Sequence, residues 1–226
     1  MAEKHRFCCM VKIKICGITN LVDARAAVEA GADMLGFNFY RPSPRFIEPK
    51  NARVMIDTLR SGFAGLDRTV MMVGVFVNES SPEAVREIAD EAGVEAVQLH
   101  GNESPEFCAR LKSLLKSHLI IKVLRVTKDF VADRALEYDV GAIMLDAFDK
   151  ELYGGTGRTI DWSLAGRTRE LGVRLFLAGG LSPENVVEAI NSVHPYAVDA
   201  CSALESLPGR KDPGRVRAFV RAARSG

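Results

Sequence analysis

Two side chains suited to proton transfer stand at the ends of predicted strands. Cys16 follows the alternating run VKIKI (residues 11–15) and precedes a GITN turn into a helix-forming stretch. A helix N-terminus favours the thiolate of a nearby cysteine, which can then act as a nucleophile or a general base. Asp146 ends the apolar run AIML, where burial would raise the pKa of its carboxyl and suit it to donating a proton. The pair predicts acid–base chemistry on one substrate.

Each of the two residues also has a structural interpretation. A free cysteine is often a small buried hydrophobe, and an aspartate at a strand end can cap a helix or form an ion pair. No helix-forming stretch begins directly at Asp146. The chemical interpretation is therefore favoured for Asp146, and for Cys16 it depends on whether other strand ends point to the same place.

Glycine-rich segments at later strand ends predict an anion site. One follows the seventh predicted strand, and residues 199–202 follow the eighth. Barrel enzymes commonly bind phosphate at these two positions, through backbone N–H groups that no side chain obstructs. A further GGTG segment is expected to add to this cradle or to act as a mobile flap. The candidate binding residues are Gly154, Gly155, Gly179, Gly180, Cys201 and Ser202.

Four more residues could contact a ligand. Arg45 follows a loop stiffened by two prolines and can present its planar guanidinium to a carboxylate, a task for which Arg41 is the alternative. Gln98 and His100 end the fourth predicted strand and could bind a ligand or serve the structure. Lys122 lies inside the fifth strand, where a Schiff-base role is the alternative chemistry.

Short apolar runs alternate with amphipathic stretches along the chain. The predicted strands cover residues 11–16, 33–39, 70–77, 96–100, 118–124, 142–146, 174–178 and 196–201. The predicted helices cover residues 21–30, 49–60, 128–138, 161–171 and 213–224, and three more start at Ser81, Ser104 and Ser182. Alternation of this kind implies a parallel sheet with right-handed crossovers. Further polar strand ends are Asn38, Asn78 and Arg125.

Eight such units predict an α/β fold, a single (β/α)8 TIM barrel. An open doubly wound sheet would carry a GxGxxG fingerprint at its first turn, where this chain has CGIT (residues 16–19). Residues 11–226 are expected to form one catalytic domain without internal linkers. Residues 1–10 are expected to be a disordered leader. The apolar run that begins at Phe7 is too short for a signal peptide.

Composition excludes several classes of protein. A net charge of +1 argues against a dedicated nucleic-acid or membrane surface, and no apolar run approaches the ~18 residues of a membrane helix. The five cysteines are scattered without a CxxC pair, which argues against structural zinc and disulfides. We therefore expect a cytoplasmic protein without a structural disulfide or a structural metal.

Several segments, taken in chain order, closely resemble the phosphoribosylanthranilate isomerase family. They are KICGIT (14–19), VGVFVN (73–78), VQLHG (97–101), LD (145–146), YGGTG (153–157), AGGLSPEN (178–185) and PGRKD (208–212). The resemblance implies a (β/α)8 barrel of tryptophan biosynthesis that needs no cofactor. It implies an Amadori rearrangement that converts N-(5-phosphoribosyl)anthranilate to 1-(2-carboxyphenylamino)-1-deoxyribulose 5-phosphate. Both monomers and homodimers occur in the family, so the resemblance leaves the oligomeric state open.

The resemblance also implies roles for individual residues. Cys16 would be the general base that removes the proton from ribose C2, and Asp146 the general acid that protonates the ring oxygen. Arg45 would hold the anthranilate carboxylate. The phosphate would rest on backbone near Gly180 and on the loop after the eighth strand.

The chain departs from the family in that last loop. The family usually has DVSSGVE, whereas residues 199–205 read DACSALE. Cys201 thus replaces a hydroxyl with a thiol, which is a poorer hydrogen-bond donor. Ala203 replaces a glycine, and an alanine would be strained if the backbone there needs a positive φ. This departure predicts a weaker phosphate site, with a raised KM and a less affected kcat, which the double change C201S/A203G would reverse. Two alternatives are a Schiff-base lyase that uses Lys122 and a non-catalytic sugar-phosphate-binding barrel.

Overall fold

Eight parallel strands close into a barrel in their sequence order, β1 to β8. The computed structural model describes residues 10–63, 69–127, 129–146 and 162–226. The strands are β1 Lys12–Ile15, β2 Met34–Asn38, β3 Met71–Phe76, β4 Ala96–Leu99, β5 Leu119–Arg125, β6 Ala142–Asp146, β7 Leu175–Ala178 and β8 Ala197–Ala200. The predicted (β/α)8 barrel is confirmed.

Helices follow the strands and cover the outside of the barrel. They are α1 Leu21–Ala30, α2 Pro49–Gly62, α3 Pro82–Ala92, α4 Pro105–Leu114, α5 Trp162–Glu170, α6 Val186–Val193 and α7 Pro213–Ser225. The side chains of Asn20, Ser81, Ser104 and Asp212 accept hydrogen bonds from free backbone N–H groups in the first turns of α1, α3, α4 and α7. These caps fix where each loop at the mouth of the barrel ends.

Two predicted helices differ from the structure. In place of a helix over residues 128–138, the described residues form a 3-10 helix, Ala132–Glu137. A 3-10 helix rises further per residue than an α-helix, which suits the short connection between β5 and β6. Helix α6 starts at Val186, because the N–H of Ser182 donates to Oδ1 of Asn185, 2.8 Å away, and closes a turn first.

After β8 the chain forms a 3-10 turn, Ser202–Leu204, and then a hairpin of β9 Glu205–Leu207 and β10 Arg210–Lys211. The hairpin is fastened to the first loop of the barrel. The Thr19 hydroxyl donates to the carbonyl of Gly209 over 2.6 Å, and the N–H of Lys211 donates to Asp23 over 2.8 Å. The loop after β8 therefore lies against the loop after β1.

The core has two layers. Ile13 and Ile15 of β1 pack with other apolar residues in the outer layer, between strands and helices. A second cluster fills part of the barrel interior and includes Met144 and Phe176. Because side chains alternate along a strand, the polar face of β1 points inward, and Lys14 is fully buried. Cys16 is the next inward position, at the carboxyl end of the strand.

Some of the sequence predictions fall outside the described residues. These are most of the leader (residues 1–9), the GGTG segment with Gly154 and Gly155, and the start of the sixth predicted helix at residue 161. Within the described ranges, no helix has the length and apolar character needed to cross a membrane.

Candidate active site

A cavity opens at the carboxyl ends of the strands, where barrel enzymes carry their reactive groups. Most of the residues predicted to form the site line it. They are Cys16, Arg45, Gln98, His100, Asp146, Gly179, Gly180, Cys201 and Ser202, together with Asn38 and Asp199. The topology thus brings residues from six of the strands and their loops to one place.

Cys16 is held in the wall of this cavity and is 9% exposed. A hydrogen bond from Cys201 lowers the pKa of the Cys16 thiol well below its ordinary value. Burial opposes that shift, while the positive charges of Lys14 and Lys211 reinforce it. The sequence interpretation relied on the helix dipole, whereas the structure adds a neighbouring thiol and buried lysines. Cys16 is set up as a thiolate.

Lys14 and Asp199 form an ion pair inside the barrel. They are register partners of β1 and β8, and Nζ of Lys14 lies 2.9 Å from Oδ1 of Asp199. Burial alone would lower the pKa of Lys14, but the facing carboxylate more than reverses this, so its pKa lies above the ordinary value. Burial raises the pKa of Asp199 to about 6 against the pull of Lys14. The lysine therefore stays charged next to Cys16.

The space for the side chains of Cys16 and Lys14 comes from a glycine on the neighbouring strand, β2. A Cβ on Gly36 would lie 2.8 Å from Sγ of Cys16, closer than real Cβ contacts, and 3.1 Å from Nζ of Lys14, tighter than most of them. Sequence analysis did not single out this residue. A glycine in the middle of a strand is nevertheless a known signal of close approach by another group.

Asp146 ends β6 and is oriented by a histidine. Nε2 of His100 lies 3.0 Å from Oδ2 of Asp146, and Nε2 of Gln98 lies 3.2 Å from Nδ1 of His100. The Gln98 amide nitrogen can only donate, so Nδ1 accepts and Nε2 of His100 carries the N–H that faces Asp146. His100 then donates to Asp146. Gln98 and His100, predicted as ligand contacts, also form a chain that supports the acid.

Arg45 reaches the cavity as part of an ion pair. Its Nε and Nη2 donate to Oε1 and Oε2 of Glu205 over 2.8 and 2.7 Å. Burial would raise the pKa of Glu205, but hydrogen bonds from Arg45 and the charge of Lys211 hold it below its usual range. Arg41, the alternative, is mostly exposed and pairs with Glu48 on the surface. Sequence analysis missed the role of Glu205, which lies 160 residues from Arg45.

Two backbone segments face the other end of the cavity. Gly179 and Gly180 both have positive φ, at 89° and 70°, a conformation that favours glycine. The side chain of Asn185 donates to the carbonyl of Gly180 over 3.1 Å and holds this turn. Ser202 is exposed at the start of the 3-10 turn after β8. This geometry leaves backbone and hydroxyl groups to meet an anion.

Two predictions about the loop after β8 need correction. Ala203 does not have a positive φ and lies within the 3-10 turn, so the strain expected at that position is absent. The thiol of Cys201 is turned toward Cys16, and its sulfur lies 3.8 Å from Nζ of Lys211. Cys201 was expected to take the place of a phosphate-binding hydroxyl, but its side chain points toward Cys16.

Three other predicted residues do not line the cavity among the described part of the chain: Asn78, Arg125 and Lys122. Nζ of Lys122 donates to Glu103 over 2.6 Å and to the carbonyl of Gly101 over 2.8 Å, and both charged side chains are 2% exposed. Glu103 in turn accepts from the N–H groups of Asn78 and Gly101. This buried pair shapes the loop after β4 and offers no amine for a Schiff base.

No metal-binding cluster of three or more histidine, cysteine, aspartate or glutamate side chains occurs among residues 10–63, 69–127, 129–146 and 162–226. The cavity itself is lined by a thiol, a histidine-supported carboxyl, an arginine and a backbone anion site. Such a set can move protons on an anionic small molecule.

Comparison with known proteins identifies similar chains. The family model described as N-(5'phosphoribosyl)anthranilate (PRA) isomerase matches residues 13–222. A Geobacter metallireducens protein named N-(5'-phosphoribosyl)anthranilate isomerase is 46% identical over 217 residues, which cover 96% of this chain and 100% of the relative. The crystal structure of phosphoribosyl anthranilate isomerase from Thermotoga maritima has a TM-score of 0.82 at 43% identity and covers 96% of this chain and 100% of its own.

A further solved structure is similar to this chain and carries a ligand. It is a phosphoribosyl anthranilate isomerase in complex with reduced 1-(o-carboxyphenylamino)-1-deoxyribulose 5-phosphate. Its TM-score is 0.79 at 40% identity, and the match covers 96% of this chain and 100% of that one.

Proposed function

The chain belongs to the N-(5'-phosphoribosyl)anthranilate isomerase family, and on that premise we propose that Cys16 is the general base and Asp146 the general acid of its reaction. The chain is an enzyme of tryptophan biosynthesis, an isomerase whose substrate is a small molecule. The observation that carries the proposal is that Cys16 and Asp146 line one cavity, each with its own supporting residues.

The reaction begins with ring opening. Asp146 gives its proton to the furanose ring oxygen, the bond between C1 and that oxygen breaks, and the anthranilate nitrogen forms a double bond to C1. The positive charge on this iminium makes the neighbouring C2 proton acidic. A general acid must protonate the ring oxygen, because an alkoxide is a poor leaving group at neutral pH.

The second step removes the C2 proton. The Cys16 thiolate takes it, and the electrons of the C2–H bond form a C1–C2 double bond and neutralise the iminium. The resulting enolamine tautomerises to the ketone, with a proton added at C1. A thiolate suits this step, and Lys14 and Cys201 favour that form because they lower the pKa of the Cys16 thiol.

The remaining residues hold the two anionic ends of the substrate. Arg45, fixed by Glu205, would bind the anthranilate carboxylate. The backbone of Gly179 and Gly180 and the Ser202 hydroxyl would bind the phosphate. With both ends fixed, the ribose lies between the acid and the base, which lowers the entropic cost of reaction.

The catalytic thiol also bears on the compartment in which the enzyme works. A catalytic thiolate requires reducing conditions, which favours the cytoplasm. We further propose that residues 11–226 form one catalytic domain and that residues 1–10 lie outside it.

The test is turnover of freshly generated substrate, followed by loss of its fluorescence, for wild type, Cys16→Ala and Asp146→Asn. We expect each variant to lose about 10²- to 10⁴-fold in kcat, the usual contribution of a positioned acid or base. Cys108→Ala, a fully buried cysteine of the outer core, serves as the control and should keep its kcat. Full activity in a folded Cys16→Ala variant would contradict the assignment.

A further inference from the structure

Cys16 and Cys201 are neighbours across two adjacent strands. The last register pair of β1 and β8 is Ile15 with Ala200, and the N–H of Cys16 donates to the carbonyl of Ala200 over 2.9 Å. Each cysteine is therefore the next residue of its strand, on the same inward face. The thiol of Cys201 interacts with that of Cys16 and favours the ionised form of Cys16.

The surrounding backbone is shaped to admit this contact. A Cβ on Gly17, the residue directly after Cys16, would lie 2.9 Å from Sγ of Cys201. Gly17 also has a φ of 76°, which favours glycine. The missing side chain at Gly17 thus gives the Cys201 thiol its place beside Cys16.

We propose that Cys201 is a positioning residue for Cys16: its thiol donates a hydrogen bond to the Cys16 sulfur and holds that sulfur, as a thiolate, in the cavity wall. The proposal rests on the proposed function, in which Cys16 is the base. It assigns the chain's departure from the usual family sequence to the proton-transfer step, where sequence analysis had assigned it to phosphate binding.

The charged groups around the two sulfurs decide which one keeps the proton. Lys14 of β1 lies beside Cys16 and is paired with Asp199 of β8. Lys211 of β10 donates to Glu205 over 3.0 Å and to the carbonyl of Cys201 over 3.1 Å, and lies 3.8 Å from the Cys201 sulfur. Arg45, from the loop after β2, adds positive charge near both sulfurs.

The negative charge therefore belongs on Cys16. The fully buried Lys14 acts on Cys16 and has the Asp199 carboxylate as its partner. Lys211 faces the Cys201 sulfur, but its charge is shared with the Glu205 carboxylate and the Cys201 carbonyl. The hydrogen bond between the thiols raises the pKa of Cys201 well above its ordinary value, and burial adds to the rise. Cys201 stays a donor while Cys16 stays ionised, and the two titrate as a pair.

A donor that favours the thiolate lowers the pKa of Cys16, so loss of the donor raises it. Because the base acts only when deprotonated, the acidic limb of the kcat/KM profile would move to higher pH. A donor to a charged group contributes enough for a shift of about one pH unit.

The experiment measures the thiolate itself. Cys16 is alkylated with iodoacetamide over a range of pH and quantified by peptide mass, in wild type, Cys201→Ala and Cys201→Ser, alongside the kcat/KM profile. We expect the midpoint of alkylation and the acidic limb to rise by about one pH unit in Cys201→Ala. Cys201→Ser should restore both, since a hydroxyl also donates. Cys108→Ala is the matched control and should leave both unchanged.

Two results would overturn the proposal: an unmoved midpoint in folded Cys201→Ala, or preferential alkylation of Cys201 in the wild type. Cys201→Val, which keeps bulk but has no donor, replaces Cys201→Ala if that variant does not fold. The alkylation midpoint does not depend on turnover. Activity in Cys16→Ala would therefore overturn the proposed function alone, while the midpoint would still decide whether Cys201 holds the Cys16 thiolate.

Discussion

Nε2 of His100 lies 3.0 Å from Oδ2 of Asp146, and this contact orients the carboxyl that faces the substrate cavity. The ring of His100 is held in turn by Gln98, whose amide forms a hydrogen bond with the other ring nitrogen. Two residues at the end of β4 thus hold one acid in place. The Cys16 thiolate, which acts as the base, has a comparable support in Lys14 and Cys201.

His100→Ala should lower kcat by about two- to tenfold, the effect of removing one neutral hydrogen bond that orients the protonated Asp146 carboxyl. KM should change less, because the residues that hold the two ends of the substrate are untouched. Steady-state kinetics measures both constants. His118→Ala is the matched control, since His118 directly precedes β5 at the opposite end of the barrel. Equal losses of kcat in the two variants would show that His100 has no specific role.

Arg45 and Glu205 should behave as one unit in substrate binding. Arg45→Ala and Glu205→Gln should each raise KM, because the first removes the carboxylate ligand and the second removes the group that aims it. The double variant should be no worse than Arg45→Ala, since interacting residues are not additive. Arg41→Ala, whose ion pair with Glu48 is on the surface, is the control and should leave KM unchanged. Additive effects of the two substitutions would contradict this dependence.

Lys122→Met should destabilise the protein, because the Lys122 ammonium has a structural role. Breaking a buried ion pair leaves Glu103 as an unpaired buried charge, at a cost of about 3–5 kcal/mol in the free energy of unfolding. Lys112→Met, which breaks a surface pair with Asp139, should cost less than about 1 kcal/mol. Urea unfolding measures both values.

Borohydride treatment of the wild type with substrate tests the lyase alternative directly. We expect no covalent adduct, because Lys122 is 2% exposed and its ammonium is held by Glu103 and Gly101. A trapped adduct on Lys122 would contradict the isomerase mechanism.

The order and approximate ends of the strands could be predicted because hydrophobic period and capping residues are local signals. Cys16 and Asp146 could be singled out for a similar reason, since a polar residue that ends an apolar strand is visible in the sequence. Alternation in β1 also separates two faces. It does not say which face points into the barrel, so the burial of Lys14 could not be foreseen.

Contacts between segments that are distant in the chain could not be predicted from local sequence patterns. The pairing of Arg45 with Glu205 depends on how the hairpin after β8 folds back over the first loop. The meeting of Cys16 and Cys201 depends on the register between the first and last strands. Sequence analysis therefore interpreted the cysteine at position 201 as a lost phosphate ligand, when its sulfur faces another sulfur.

The most direct test of the central claim is a single-turnover kinetic isotope effect with substrate deuterated at ribose C2. If Cys16 removes the C2 proton, the slower base in Cys16→Ser makes that step limiting, and the isotope effect should rise above the wild-type value. If Asp146 opens the ring, Asp146→Asn makes ring opening limiting, and the isotope effect should fall toward one. The reverse pattern, or equal isotope effects in both variants, would contradict the assignment of base and acid.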